Sequence, residues 1–165
     1  MNFTLHEYFY KLYNKNMLMM LLPIGEFLGI YYLLLSGVLP TLIDDELIVQ
    51  TMLFVVPFVG LSILTIVQLG IYKKCKKISS EPSLGKKLEL YVPITKRNTN
   101  GFILASFLLA IGFFLTAHEW FSIYFGVVIL WSWIQWPSPR KVCRDLKLRG
   151  DEREMVMTKG DAFKS

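Results

Sequence analysis

The chain has 165 residues, 53% of them hydrophobic, with a mean hydropathy of +0.43 and a formal net charge of +5. A soluble domain of this length spreads its charges along the chain. Here they are segregated into blocks, which excludes an ordinary water-soluble core and points to a membrane protein. Bases that flank apolar runs are explained first by topology, so the basic excess is no argument for nucleic acid.

In chain order, residues 3–15, "FTLHEYFYKLYNK", place Leu5, Tyr8, Phe9, Leu12 and Tyr13 at helical spacing, with Thr4 and Glu7 at capping-box spacing. This predicts an amphipathic helix over 1–16, lying along the inner membrane interface with its tyrosines at headgroup level. Residues 1–16 lack the short basic start of a secretory signal, so the apolar run after them is expected to remain as a helix. A span needs about 20 mostly apolar residues. Four runs qualify, at 17–36, 47–71, 101–117 and 120–136, and together they make a transmembrane domain over 17–136.

All 18 lysines and arginines fall at 11–15, 73–97 or 140–164, and the loops 37–46 and 118–119 have none. The positive-inside rule then places both termini, the connector 72–100 and the tail 137–165 in the cytoplasm, with the spans as two in-out-in hairpins in the inner or plasma membrane. In the connector, "KKLELYVPITKR" alternates Leu88, Leu90, Val92 and Ile94 with Glu89, Tyr91, Pro93 and Thr95. Period two predicts a strand, and Pro93 confines it to an edge. The tail holds "REMVMTK", partly extended in character, after a short helix that Ser138 caps, Pro139 opens and Gly150 ends. The fold expected is an all-α membrane protein with four transmembrane helices and a small basic cytoplasmic cap that includes a short β-ribbon. Cys75 and Cys143 lie in that basic part, where thiols stay reduced, and their spacing suits neither a disulfide framework nor a metal.

One residue breaks the apolar pattern of the first span. Glu26 stands about ten residues into it. A charge near mid-membrane costs roughly 2.5–3.5 kcal/mol, and no Lys or Arg inside any span can offset it. Gly25 and Gly29 bracket it with G-x-x-x-G spacing, which lets another helix approach closely. The carboxyl is expected to face the bundle, within reach of Ser62, Thr65, Ser106 or Tyr124. Two readings stay open: an interhelical hydrogen bond, or a proton- or cation-binding site. A four-span chain with one acid in its first span resembles the small multidrug resistance transporters, and the resemblance covers the span count and Glu26. It implies a functional role for Glu26 and nothing for other residues. This chain is longer, its connector is large and basic, and its charge bias opposes an antiparallel dimer.

Asp44, Asp45 and Glu46 open the second span, where acids favour the helix N-terminus. With His118 and Glu119 they form a possible acidic cluster on the outer side, although one His and scattered acids make a weak metal signature. Trp120 and Trp136 bracket the fourth span as interfacial anchors, and anionic lipid headgroups are expected against the basic face. No nucleophile elbow, HExxH, P-loop or glycine fingerprint occurs. The reading is a non-enzymatic membrane subunit without cofactor, assembling with itself or with a partner membrane protein. The alternative is a small transporter or channel that uses Glu26.

Overall fold

The computed structural model describes residues 4–158. Phe3 of the expected interfacial helix, and Lys159 and Lys164 of the tail, lie outside the described residues. Six helices follow one another: α1 (Leu5–Leu35), α2 (Glu46–Ile78), α3 (Leu84–Thr116), α4 (Trp120–Ile134), α5 (Pro139–Asp145) and α6 (Gly150–Thr158). Three of them, α1, α2 and α3, are long and apolar enough to cross a membrane. The architecture is that of a helical membrane protein.

Local chemistry sets where the helices begin. The Thr4 hydroxyl accepts from the Glu7 N–H at 3.3 Å, and one Asp45 oxygen accepts from the N–H groups of Leu47 and Ile48. Ser138 caps α5 by accepting from the Lys141 N–H at 3.2 Å, with Pro139 in the first turn. Pro23, Pro57 and Pro93 all lie inside helices. Each deletes one backbone donor, a defect that long apolar helices tolerate when neighbouring helices pack around it.

Two expectations fail here, for one reason. Residues 88–95 are the early turns of α3 and not a strand, and "REMVMTK" belongs largely to α6. No strand occurs among the described residues, so there is no β-ribbon. The pattern that governs 84–95 is helical: Leu84, Lys87, Leu88, Tyr91, Ile94 and Thr95 are buried, while Leu90 is exposed. That set recurs every three or four residues, and packing against four other helices rewards it over the alternation. Residues 5–16 likewise form no separate surface helix. They run without a break into the first apolar stretch, and their stripe of Leu5, Tyr8, Phe9 and Leu12 is buried in protein.

α3 is the central helix. Of its most apolar 18 residues 56% are buried, against 11% for α1 and 17% for α2. Helices α1 and α2, consecutive in sequence, pack mainly on α3 rather than on each other. Matched contacts fix the directions. The Tyr8 hydroxyl donates to the Leu88 carbonyl, the Thr99 hydroxyl to Asn16 Oδ1, and Phe27 stacks on Phe113, so α1 and α3 run parallel. Ala117 takes a left-handed conformation (φ 51°) that ends α3, and α4 turns back along it. It ends where Gln135 meets Gln68 of α2.

The long helices exceed a bilayer. Thirty-three residues rise about 50 Å, while the hydrocarbon layer is about 30 Å thick. The excess builds a second core. One cluster, around Phe27, Leu64, Phe102, Leu109, Phe113, Phe121 and Phe125, lies in the apolar half of the bundle. The other joins the start of α1, the end of α2, the start of α3 and both short helices through Leu5, Phe9, Cys75, Leu88, Tyr91, Val142, Leu146 and Val156. This second core lies in the basic half of the bundle, where water supplies the hydrophobic drive. The first must rely on close packing, because lipid is as apolar as the side chains it buries.

Candidate functional site

Glu26 lies on α1 beside the aromatic stack that ties α1 to α3 and α4. Phe27, its neighbour, stacks on Phe125 at 4.0 Å and on Phe113 at 5.2 Å. Pro23 and Phe27 turn inward, and Gly25 and Gly29 turn outward. Glu26 falls between, half-buried. Its Oε2 is sealed from solvent and accepts no hydrogen bond among the described residues. The partners expected for it do not reach it. Ser62 and Thr65 donate to their own helix, to the carbonyls of Phe58 and Leu61 at 2.8 Å, and the fully buried Ser106 hydroxyl is itself unpartnered.

The glycine pair does not serve packing inside the molecule. A Cβ built on Gly25 or Gly29 meets nothing within 4 Å. With Leu18, Leu22 and Tyr32, which are exposed, these glycines form one continuous outward stripe at helical spacing.

The acidic cluster at the other end does not assemble. Asp45 is used up as the α2 cap, and Glu46 accepts from Gln50. His118 Nδ1 accepts from the Trp120 N–H at 3.4 Å, within its own turn, while Glu119 opens α4 without a side-chain cap bond. Among the described residues no three of His, Cys, Asp and Glu come together as a metal would require, so Asp44, Asp45, Glu46, His118 and Glu119 are end-of-helix residues.

The structure brings together a polar layer that sequence reasoning missed. Where the two cores meet, the Thr99 hydroxyl donates to Asn16 at 3.0 Å and Gln68 Nε2 to Gln135 at 3.3 Å. Nearby, Asp145 of α5 accepts from the Tyr91 hydroxyl at 2.9 Å and pairs with Lys141 at 3.0 Å. Asn16, Gln68, Tyr91, Thr99, Gln135, Lys141 and Asp145 line one cavity of about 20 Å³, the size of a single water. Farther out, Lys87 of α3 holds both oxygens of Glu152 of α6 at 2.8 and 2.9 Å. These contacts lock the tail onto the ends of α2 and α3. The available signal was the repeat of Tyr91, Thr95 and Thr99 at helical spacing, with single amides at Asn16, Gln68 and Gln135.

Neither cysteine is set up for chemistry. Both are buried, and burial pushes the Cys143 thiol up, with the Arg153 guanidinium opposing the shift. Comparison of the chain with protein-family models, with curated proteins and with solved structures finds no match.

Proposed function

We propose that the chain is a non-enzymatic, multi-pass subunit of the inner or plasma membrane that works by assembling with a second copy or a partner membrane protein. The observation that carries this is the outward stripe of Leu18, Leu22, Gly25, Gly29 and Tyr32, left bare at mid-helix with nothing near either glycine. In a bilayer a bare glycine pair is a site for close helix–helix approach, where interhelical contacts are worth about 1–2 kcal/mol. Glu26, half-buried, stands beside this stripe on the same helix. On this reading four helices cross the membrane. Helix α4 is short, about 22 Å over 15 residues, but it returns along α3 and carries Trp120 at one end. The clustering of basic residues at one end of the bundle supports a cytoplasmic location for that end and for both termini, against anionic headgroups.

The test is particle mass in mild detergent. The wild type is expected to run as an oligomer or with a partner, and Gly25→Leu/Gly29→Leu as a monomer of unchanged helicity. Glu26→Gln tests the alternative, a small transporter or channel. A monomeric wild type whose pH-driven ion flux in liposomes disappears in Glu26→Gln would replace the assembly reading with that one. Threading is checked separately. A cysteine replacing Lys86 is expected to stay unlabelled by an impermeant reagent on intact cells, while one replacing Leu42 is labelled.

A further inference from the structure

A cavity of about 610 Å³ opens between α5 and α6. Its cationic lining is Arg140, Arg144, Lys147, Arg149 and Arg153, and no carboxylate lines it. Cys143, Leu148 and Met157 give it an apolar lining as well. We propose that this basin binds a ligand carrying two or more phosphate groups.

Three observations converge on this. First, four of the five charges are uncompensated. Arg144 stands 3.8 Å from Asp145, and among the described residues Arg140, Lys147, Arg149 and Arg153 make no ion pair. Five like charges around one concavity repel one another within a Debye length of about 8–10 Å, and a bound polyanion relieves that repulsion. Four of the five are arginines, whose planar forks match phosphate oxygens two at a time.

Second, the turn that shapes the basin is strained. Lys147 adopts φ 53°, a left-handed conformation that a side chain disfavours and that glycine takes freely. The Leu148 N–H closes the turn on the Cys143 carbonyl at 2.9 Å. From this position Lys147 lines the basin.

Third, size and place restrict the ligand. The volume suits a small molecule rather than one inorganic phosphate. Arg140 is four residues past Trp136, which the sequence reads as an interfacial anchor. A polyphosphorylated lipid headgroup and a soluble polyphosphate share the chemistry that the arginines recognise. The site does not depend on whether α1 assembles.

The experiment uses two probes on the full chain: tripolyphosphate titrated into protein in neutral micelles, and phosphatidylcholine nanodiscs with and without phosphatidylinositol bisphosphate. Arg149→Gln/Arg153→Gln is expected to weaken binding about tenfold or more, since two cations near a surface contribute about 1 kcal/mol each. Lys147→Gly is expected to weaken it about fivefold while unfolding no more easily than the wild type, which separates lost binding from lost folding. Lys73→Gln/Lys74→Gln, exposed on α2 and outside the basin, serves as the control and is expected to change binding less than about twofold. The arm that responds names the source, headgroup or soluble polyphosphate. Absence of binding in both arms, or equal weakening by basin and control variants, would overturn the proposal.

Discussion

Replacing Asp145 by alanine is expected to cost about 3 kcal/mol of stability, at the lower end of what breaking a buried ion pair costs. Lys141 and Asp145 are about 10% and 15% exposed at their side chains, and Tyr91, 1% exposed, spends its hydroxyl on the same carboxylate. Removing Asp145 therefore strands a buried ammonium and a buried hydroxyl together. The penalty comes from those two groups and not from the attraction lost between the charges. Exchanging both members of the pair, in Lys141→Met/Asp145→Leu, is expected to recover more than half of the loss. Unfolding by SDS titration of the micelle-bound protein reads both. A loss below about 1 kcal/mol in Asp145→Ala would mean that the tail does not hold to α3 through this contact.

Gly112→Ala is the second large effect, and Gly126→Ala is its control. A Cβ on Gly112 would stand 2.5 Å from Cε1 and 2.8 Å from Cζ of Phe121. Phe121 is fully buried in the first turn of α4, and only residues 117–119 join that helix to α3. The ring has nowhere to go, so α4 must shift as a unit. Overpacking of this kind costs about 1–3 kcal/mol, and the upper figure is expected here. Phe121→Leu added to Gly112→Ala makes room and is expected to restore about half. Gly126→Ala meets open space, so the protein is expected to gain a few tenths of a kcal/mol through helix propensity. The same titration of the three variants checks the contrast.

Much of the fold was legible because the bilayer imposes few solutions. Long uncharged runs, bases confined to three segments, and caps such as Asp45 and Ser138 are local signals. They predicted apolar helices close to where α1, α2, α3 and α4 stand. The basic half was misread where two periodicities competed. Leu88, Leu90, Val92 and Ile94 alternate, but Leu84, Leu88, Tyr91 and Thr95 also repeat at helical spacing, and a dozen residues cannot rank the two. The neighbours rank them. Leu5, Tyr8 and Phe9 from α1, Val142 from α5 and Leu146 just after it join this helical stripe in one buried core.

The candidate site divides the same way. Glu26 stood out at once, because a carboxylate in an apolar run is anomalous whatever surrounds it. Its surroundings were harder to read, since inward and outward faces of a lipid-bathed helix are equally apolar: the carboxyl was expected to face the bundle, but it is half-buried, and Gly25 and Gly29 beside it face outward.

By itself the sequence determined that this is a helical membrane protein with its bases held apart from its apolar runs, because length, hydropathy and charge are properties of segments. Only the tertiary structure decided that α3 is the centre, that residues 5–16 are core, and that five cations surround one basin. Those facts depend on which helix faces meet, and that is set by packing between residues far apart in the chain.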